Sequence, residues 1–541
     1  MTPSAHADTF ARDRLPPPEL WPDFLRPEGS VFDTPERLNA AAALFEHARA
    51  SRWTDRPLLL SDEPAWTYGD LERRASQIAH ALTDDLGLVP GNRVLLHGPN
   101  TPELAACWFG IVLAGGIVVA TMPLLRASEL GYTCEKAQIR LALCDAAFRE
   151  AVDGIEDGPL ERVVTFGGAS ADGSELGALA DGKPTAFEPV DTAGDDVALV
   201  AFTSGTTGPA KATAHFHRDV LAICDAFPRA CLDLGPGDVV AGTPPLAFTF
   251  GLGGELLFPM RYGAATAFIP KPSVPALLDT LETHRATVCV TSPTAYRAML
   301  GHLDGRDLGA LRACVSAGEP LPAPTFHAWR DATGVEIVDG IGSTEMLHIF
   351  LSAPPGAGRP GATGKPIGGY EAKVVDEDGR EVPPGTVGLL AVRGPTGCRY
   401  LDDEARQARY VRDGWNYPGD AYLVDEDGFF HYQSRTDDMI ITSGYNVSGL
   451  QVESALLQHP AVAECGVIGV PDAERGHLVT AFVVARPDAE PGEALAKELQ
   501  DFVKAQIAPY KYPRAVQFLD ALPRTLTGKL QRFRLRDPDD A

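Results

Sequence analysis

A run of hydroxyl-bearing residues and glycines follows an apolar strand predicted at residues 197–202. It consists of Thr203, Ser204, Gly205, Thr206, Thr207, Gly208, Pro209, Ala210 and Lys211. Residues of this kind after a strand let backbone N–H and side-chain O–H groups approach phosphate oxygens closely. The run is not a Walker A loop, because its spacing differs and Ala212 stands where a Ser or Thr would follow the lysine. It predicts a phosphate-binding loop, with a flexible surface turn as the alternative.

Four further segments carry groups that suit a nucleotide. Gly342-Ser343-Thr344-Glu345 sets a hydroxyl beside a carboxylate, as a phosphate and its Mg²⁺ require, although it could also cap a helix. In Tyr417-Pro418-Gly419-Asp420 the carboxylate follows a tight turn, where it can bind two ribose hydroxyls or face solvent. The charged stretch Ser434-Arg435-Thr436-Asp437-Asp438 could be a linker. Pro523-Arg524-Thr525-Leu526-Thr527-Gly528-Lys529 places near the C-terminus a lysine that, alone, would only add charge.

The order and joint presence of these five segments resemble the superfamily of adenylate-forming enzymes. That superfamily comprises acyl- and aryl-CoA ligases, luciferases and the adenylation domains of peptide synthetases. The resemblance covers nearly the whole chain, from about residue 44 to residue 534. It implies an ATP-dependent acid–thiol ligase that activates a carboxylate as its acyl-adenylate and passes the acyl group to coenzyme A. ATP, Mg²⁺ and coenzyme A are the small molecules that it implies.

The resemblance also implies a role for each segment. The loop from Thr203 to Lys211 would embrace the β- and γ-phosphates of ATP. The adenine would face residues 316–320 and Asp339, and Thr344 would touch the α-phosphate while Glu345 binds Mg²⁺. The ribose would be bound by Asp420, with Arg435 beside it. Within residues 316–320, the residues predicted to contact ATP are Gly318, Glu319 and Pro320.

Lys529 resembles the lysine that bridges the attacking carboxylate and the α-phosphate. The physics of the reaction supports that role, because two anions must meet and charge develops in line at the phosphorus. One well-placed cation there accelerates such a step by roughly 10²–10³. Since Lys529 and Asp420 lie in different predicted domains, the site must close over the nucleotide. Rotation of the small domain would then remove Lys529 and admit a thiol.

Two further positions follow from the same resemblance. Asp437 lies where the superfamily has its hinge, at the junction of the two predicted domains. Gly444, with Tyr445 beside it, lies where relatives line the thiol channel in the second conformation. These residues are therefore the predicted hinge and the predicted coenzyme A contacts.

The pocket for the acid is predicted from residues 244–254, a stretch that combines aromatic rings with flexible backbone and so suits a flat ligand. Its predicted lining is Phe248, Thr249, Phe250, Gly340 and His348. His348 follows Glu345 by three residues, which would place both on one face of a helix. Phe250 and His348 would then flank the acid in a narrow slot, unless His348 is simply a satisfied, partly buried histidine.

Three strings resemble one branch of the superfamily, the benzoate- and 2-aminobenzoate-CoA ligases. They are residues 121–126, 248–254 and 340–350. The superfamily often carries a histidine near position 248, where this chain has Phe248, so the pocket is apolar at that point. The acid implied by the branch is 2-aminobenzoate or a close benzoate analogue.

Composition restricts the class of protein. The net charge of −26 and the pI near 4.9 repel nucleic acid and anionic membranes, so we expect neither as a partner. Residues 1–12 are polar and lack the apolar core of a secretory signal. The nine cysteines include no C-x-x-C pair, which fits reduced thiols and a cytoplasmic location. The sequence leaves open whether the protein forms a homodimer.

The 541 residues exceed what one hydrophobic core usually organises, so we expect two domains. Helix and strand signals alternate up to about residue 340, which predicts an α/β fold with helix-covered parallel sheets, and residues 353–395 suggest a small β subdomain. We place the large N-terminal domain at residues 1–436 and a mobile α+β domain at residues 437–541. In the latter, Ser448 would cap a helix through Gln458, and a second helix would run from Glu493 to about Ile507.

The longest uncharged run, residues 104–125, is long enough to raise the question of a membrane span. Gly115-Gly116 interrupts it, and β-branched residues gather afterwards. A buried helix that turns into a buried strand is therefore the better interpretation.

Two alternatives to the coenzyme A ligase remain open at this point. One is an adenylating enzyme that loads the thiol of a separate carrier protein. The other is a catalytically inactive nucleotide-binding protein, against which the presence of Lys529, Glu345 and the whole phosphate loop argues.

Overall fold

A computed structural model describes residues 2–60, 64–167, 174–203, 210–435, 438–442, 445–472, 475–524 and 530–535. The strands, in chain order, are β1 (Pro57–Leu60), β2 (Trp66–Thr67), β3 (Arg93–His97), β4 (Ile117–Thr121), β5 (Leu141–Asp145), β6 (Arg162–Phe166), β7 (Val197–Phe202), β8 (Ala212–Phe216), β9 (Val239–Gly242), β10 (Ala265–Ala267), β11 (Val288–Thr291), β12 (Ala313–Ser316), β13 (Ile337–Gly342), β14 (Ile349–Ser352), β15 (Lys365–Pro366), β16 (Glu371–Val375), β17 (Gly388–Arg393), β18 (Val411–Arg412), β19 (Trp415–Asn416), β20 (Asp420–Val424), β21 (Phe430–Arg435), β22 (Ile440–Thr442), β23 (Tyr445–Val447), β24 (Val462–Asp472), β25 (Gly476–Ala485) and β26 (Ala515–Phe518).

The α-helices are α1 (Phe10–Asp13), α2 (Ala40–Ala50), α3 (Tyr68–His80), α4 (Pro102–Leu113), α5 (Ala127–Ala137), α6 (Arg149–Asp153), α7 (Glu175–Ala180), α8 (His217–Cys231), α9 (Thr249–Gly251), α10 (Phe258–Tyr262), α11 (Val274–Thr283), α12 (Pro293–Met299), α13 (Ala323–Thr333), α14 (Glu404–Tyr410), α15 (Gly449–Leu456) and α16 (Glu493–Gln506). A π-helical segment, Leu252–Leu257, joins α9 to α10.

Two sheets of mainly parallel strands form the body of the large domain, as predicted. Within the described residues the first has nine strands, in the order β15-β14-β13-β12-β11-β9-β10-β1-β2, and the second has six, in the order β6-β5-β3-β4-β7-β8. Antiparallel pairing occurs at β2, β14, β15 and β8. Buried residues of α2, α3, α4 and α8 join both sheets in one hydrophobic core. The parallel strands are buried on both faces, as continuous apolar runs of this kind require.

The uncharged run at residues 104–125 forms a helix and then a strand, as predicted. Thr101 caps α4 by accepting a hydrogen bond from the backbone N–H of Leu104. Gly115 ends the helical run with φ +71°, a backbone conformation that glycine adopts at little cost, and the β-branched residues then form β4. Among the described residues, every helix is too short or too polar to cross a membrane.

Two smaller sheets follow the large ones. The third, in the order β18-β19-β17-β20-β21 with β16 beside β17, is antiparallel and confirms the predicted β subdomain. The fourth, in the order β23-β22-β25-β24 with β26 beside β25, belongs to the C-terminal part. The chain passes between these sheets after Arg435 and before Ile440. The domain boundary that we place at 436/437 falls in this interval, on residues outside those described, and stays a prediction.

The C-terminal part corrects one expectation in detail. The helix that begins after Ser448 ends at Leu456 rather than Gln458, and the Ser448 side chain makes no capping hydrogen bond. Its hydroxyl instead donates to the carbonyl oxygen of Gln433, at the end of the third sheet. Ser448 therefore joins the two parts of the chain. The second helix, α16, agrees with its prediction.

Candidate active site

A cleft of about 1270 Å³ lies where the large domain, the third sheet and the C-terminal part meet. Parts of all five nucleotide-binding segments line it, although they are far apart in the sequence. The predicted residues on its walls are Thr203, Lys211, Gly318, Glu319, Pro320, Asp339, Gly340, Thr344, Glu345, Asp420 and Arg435. The structure thus brings together in one cavity the residues predicted to bind ATP, as far as they are described.

The predicted phosphate-binding loop connects two antiparallel strands, β7 and β8. At its base the N–H of Thr203 donates to the carbonyl oxygen of Lys211 at 2.9 Å, and the N–H of Lys211 donates to Thr203 Oγ1 at 3.3 Å. The Tyr132 hydroxyl also donates to the carbonyl oxygen of Ala210 at 3.0 Å. The two ends of the loop are therefore tied together at the edge of the cleft. Ser204, Gly205, Thr206, Thr207 and Gly208 lie outside the described residues.

The segment Ser343–Glu345 forms a turn between β13 and β14 and not the start of a helix. Successive backbone hydrogen bonds, from Met346 to Ser343 and from Leu347 to Thr344, make this turn. Leu347 then adopts φ +69°, which ends any helical path. The reason is local, since the β-branched and aromatic run that forms β14 begins only four residues after Glu345.

Two buried side chains form hydrogen bonds to this turn. Tyr400 Oη donates to Glu345 Oε1 at 2.6 Å, and burial together with Glu345 raises the pKa of Tyr400, which keeps the hydroxyl protonated. His215 Nε2 lies 2.8 Å from the carbonyl oxygen of Thr344. Burial lowers the pKa of His215 to about 4, so a neutral imidazole donates this hydrogen bond. The second carboxylate oxygen of Glu345 is left for the cleft.

A buried ionic cluster fixes the segment that carries Tyr400, which forms an isolated bridge with Thr213. Arg399 NH1 contacts Asp219 Oδ2 at 2.7 Å, and Arg26 NH2 contacts Asp219 Oδ1 at 2.8 Å. Against the effect of burial, the two guanidinium groups lower the pKa of Asp219 to about 2. Arg399 also stacks 3.8 Å from the ring centre of Phe216. A fully buried charge of this kind is tolerated only when paired, so this cluster defines one position for residues 399–400.

The wall predicted to face adenine combines a glycine turn with two carboxylates. Gly318 adopts φ +88°, which allows the chain to turn sharply after β12. Glu319 Oε2 accepts a hydrogen bond from the Thr294 hydroxyl at 2.6 Å. Asp339 Oδ1 is buried, and burial raises the pKa of Asp339 to about 7. The wall can therefore offer both acceptors and a protonated carboxyl to a heterocycle.

Asp420 and Arg435 lie side by side at the start of β20 and the end of β21. Arg435 NH1 contacts Asp420 Oδ1 at 3.1 Å and donates to the carbonyl oxygen of Pro418 at 2.8 Å. The preceding Gly419, at φ +83°, comes so close to the guanidinium that a Cβ there would lie 2.9 Å from Arg435 NH2. The tight turn that the sequence predicts thus orients the carboxylate toward the cleft.

The C-terminal segment closes one side of the cleft. Arg524 and Leu530 form an antiparallel bridge, and the N–H of Gln531 donates to the carbonyl oxygen of Pro523 at 2.9 Å. Arg532 NH2 pairs with Glu453 Oε1 at 2.7 Å, which holds the segment on the small domain. Lys529 lies between these fixed ends but outside the described residues, so its predicted contact with the α-phosphate stays a prediction.

The predicted acid-binding residues lie away from the walls of this cleft, apart from Gly340. His348 is 2% exposed and packs against three phenylalanine rings, those of Phe227, Phe250 and Phe258. The prediction that His348 shares a helical face with Glu345 is wrong, because residues 343–348 form the turn described above. The predicted slot between Phe250 and His348 is also wrong in this conformation, since their ring centres are only 5.8 Å apart. That is the distance of a direct aromatic contact.

His348 keeps one property that bears on a ligand. Burial lowers its pKa to about 3, so the imidazole is neutral. Neither ring nitrogen forms a hydrogen bond of good geometry within the described part of the chain, although the backbone of Phe250 lies close enough to oppose part of the pKa shift. Phe250, beside it, and Phe248 are partly exposed, and Thr249 is buried.

The predicted hinge and thiol-channel positions are only partly described. Asp437 and Gly444 lie outside the described residues, and Tyr445 begins β23. The residues that sequence reasoning missed are Tyr400, Arg399 and His215, which support the turn at Thr344 and Glu345. No spacing signal marks them, because Tyr400 is separated from Glu345 by 55 positions in the chain.

The comparisons with known proteins agree with this geometry. A benzoate–CoA ligase of Thauera aromatica is 38% identical over 520 residues, which cover 93% of this chain and 96% of that protein. A 3-hydroxybenzoate–CoA ligase of Aromatoleum sp. (strain CIB) is 33% identical over 518 residues, covering 94% and 98%. Among solved structures, the anthranilate CoA ligase AuaEII in complex with anthranoyl-AMP is 35% identical and superposes with a TM-score of 0.88, covering 94% of this chain and 98% of that one.

The family match extends over most of the sequence. The AMP-binding enzyme family matches residues 46–399, and the AMP-binding enzyme C-terminal domain matches residues 451–529. The first match includes the loop at Thr203 and the turn at Glu345, and the second ends at Lys529. With both domains present in order and the segments predicted to bind the nucleotide gathered around one cleft, the chain belongs to the AMP-binding enzyme family.

Proposed function

We propose that this chain is an aryl-CoA ligase, which adenylates an aromatic carboxylate with ATP and transfers the acyl group to coenzyme A. The observation that carries the proposal is the convergence of the separate nucleotide-binding segments on one cleft, whose rim is the segment that carries Lys529. The likeness to ligases of benzoate, 3-hydroxybenzoate and anthranilate supports the aromatic acid.

The chemistry proceeds in two displacements. A carboxylate oxygen attacks the α-phosphorus of ATP, so that an acyl–phosphate bond forms and pyrophosphate leaves. The thiolate of coenzyme A then attacks the acyl carbon, and AMP leaves as the thioester forms. In the first step Asp420 and Arg435 orient the ribose, Thr344 contacts the α-phosphate, and Lys529 offsets the charge that develops between the two anions.

The turn at Glu345 fits a bound Mg²⁺. Mg²⁺ commonly takes one or two protein carboxylates and completes its shell with substrate phosphates and water. Glu345 offers one oxygen to the cleft while the other is fixed by Tyr400. The ion would supply charge neutralisation to the phosphates, and the task of the chain is to hold the carboxylate in one orientation.

Removal of the Tyr400 hydroxyl is expected to weaken the response to Mg²⁺. Tyr400→Phe should raise the Mg²⁺ concentration for half-maximal ATP–pyrophosphate exchange by about tenfold, the usual effect of losing a group that orients a metal ligand. The rate at saturating Mg²⁺ should change little. Tyr410→Phe is the matched control, because that hydroxyl lies 3.4 Å from Ser343 Oγ on the same turn. An unchanged Mg²⁺ requirement in Tyr400→Phe would refute the role.

The acid itself is proposed to be 2-aminobenzoate or a close benzoate analogue. Neutral, buried His348 has ring nitrogens able to bond an ortho-amino group, and the surrounding phenylalanines suit a planar ring. Benzoate and 2-aminobenzoate should both release AMP, with 2-aminobenzoate preferred, while hexanoate and longer alkyl acids should be poor. Scoring a panel of acids with and without coenzyme A tests this. A preference for hexanoate over every benzoate would contradict the pocket, and acid-dependent ATP–pyrophosphate exchange without any AMP release on addition of coenzyme A would indicate another acceptor thiol.

His348→Ala is expected to act on the acid and not on the nucleotide. Loss of one hydrogen bond should lower kcat/KM for 2-aminobenzoate by roughly 5- to 150-fold, which corresponds to about 1–3 kcal/mol. The KM for ATP should stay near that of the parent enzyme. His327→Ala, at an exposed position of α13, controls for the loss of an imidazole. Equal losses toward both substrates would mean that His348 only supports the core.

A further inference from the structure

One carboxylate of the small domain contacts arginines of both domains. Glu464, on β24, pairs through Oε2 with Arg524 NH2 at 2.6 Å. Through Oε1 it faces Arg297 NH2, on α12 of the large domain, at 3.8 Å. The three side chains are partly buried, with exposed fractions of 34%, 25% and 28% respectively. This ionic triad joins the two domains beside the cleft.

Each arginine is attached to a part of the predicted active site. Arg524 forms the bridge with Leu530 and so lies at the base of the segment that carries Lys529. Arg297 lies on the helix whose first turn holds Thr294, and the Thr294 hydroxyl bonds Glu319 on the wall predicted to face adenine. Arg297, Thr294 and Arg524 all line the cleft. The triad therefore links the lysine segment to the nucleotide wall.

We propose that Glu464 is a positioning residue for the adenylation step, which docks the Lys529 segment against the large domain. The inference rests on the proposed function and extends it to a residue outside the nucleotide-binding segments. Glu464 and Arg524 belong to the same domain, so their short contact persists when that domain moves. The contact with Arg297 crosses the domain interface and breaks when the small domain turns to admit the thiol.

The strengths of the two contacts fit these roles. A charge-assisted contact of 2.6 Å is among the strong ones and suits a permanent anchor. The contact of 3.8 Å, between partly exposed groups, is weak enough to be reversible within each catalytic cycle. It is also screened by salt. A second interdomain contact, from Gln451 Nε2 to Gln433 Oε1 at 3.0 Å, joins neutral groups and is therefore not screened by salt.

Arg297→Gln separates the interdomain contact from the anchor. It should lower acid-dependent ATP–pyrophosphate exchange about two- to fivefold, the range for a partly exposed ion pair. Thioester formation from chemically made acyl-adenylate should be unchanged. Glu464→Gln should lower ATP–pyrophosphate exchange by about tenfold, since it removes the charge-assisted contact with Arg524 as well as the contact with Arg297. The double variant should be no worse than Glu464→Gln, because both changes remove one shared contact.

A measurement without turnover keeps this inference separate from the proposed function. In the presence of ATP, amide hydrogen exchange of residues 523–531 should be faster in Arg297→Gln than in the parent. High salt should raise the rate of amide hydrogen exchange in the parent toward that of Arg297→Gln. Arg330→Gln, whose partner Asp331 is its neighbour on α13, should match the parent. Identical amide hydrogen exchange in Arg297→Gln and the parent would overturn the role of Glu464. Equal damage by Arg297→Gln to adenylation and to thioester formation would also overturn it, whichever acid proves to be the substrate.

Discussion

Lys529→Ala should depress acid-dependent ATP–pyrophosphate exchange by about two orders of magnitude or more. The expected size is that of one electrostatic contact made at the transition state and absent from the ground state. The described structure supports a contact at this place, because the two ends of the lysine segment are joined at Arg524 and Leu530 on the rim of the cleft. Exchange of labelled pyrophosphate into ATP measures this half-reaction alone.

The same variant should still form thioester at nearly the normal rate when supplied with chemically made acyl-adenylate. The phosphorus chemistry is then already complete, so the cation has no charge to offset. Lys497→Ala, which removes an exposed lysine paired with Asp501 on α16, is the matched control and should alter neither step. Equal damage to both half-reactions by Lys529→Ala would mean that the lysine is structural, or that the small domain does not reorient.

Asp437→Pro should reduce the rate of thioester formation to near background, while adenylation should survive. A pivot must absorb a large change of φ and ψ, and proline fixes φ near −65°. The position lies between the last residue of the third sheet, Arg435, and the first strand of the fourth, β22. The N–H of Asp438 donates to the carbonyl oxygen of Arg435 at 3.0 Å, so the residues on either side of the position are tied together. Separate assays of the two half-reactions measure the effect.

Asp437→Ala controls for the loss of the carboxylate, because alanine leaves φ free. It should support both half-reactions, whereas proline should block the second. If Asp437→Pro retains full thioester synthesis, the hinge lies elsewhere. If it damages adenylation as severely as thioester formation, the substitution has disturbed the junction and the assignment also fails.

The sequence by itself was sufficient where function depends on short contiguous segments. The turn before Asp420 is determined by local rules of backbone conformation, which a few residues contain. The parallel sheets and the helix–strand unit at residues 104–125 were predictable for a similar reason, since runs of apolar residues and glycines mark them. Five such segments in order were enough to identify the family.

The tertiary structure alone decided which distant side chains support those segments. Tyr400 reaches Glu345, and Glu464 reaches Arg297, only because separate strands and helices pack side by side. It also decided the environment of His348. The sequence spacing predicted a helix, but the short distance to β14 imposes a turn, and packing then places the imidazole among three phenylalanines. Local sequence specifies backbone conformation, whereas burial and ionic partners depend on contacts between residues far apart in the chain, which no spacing records.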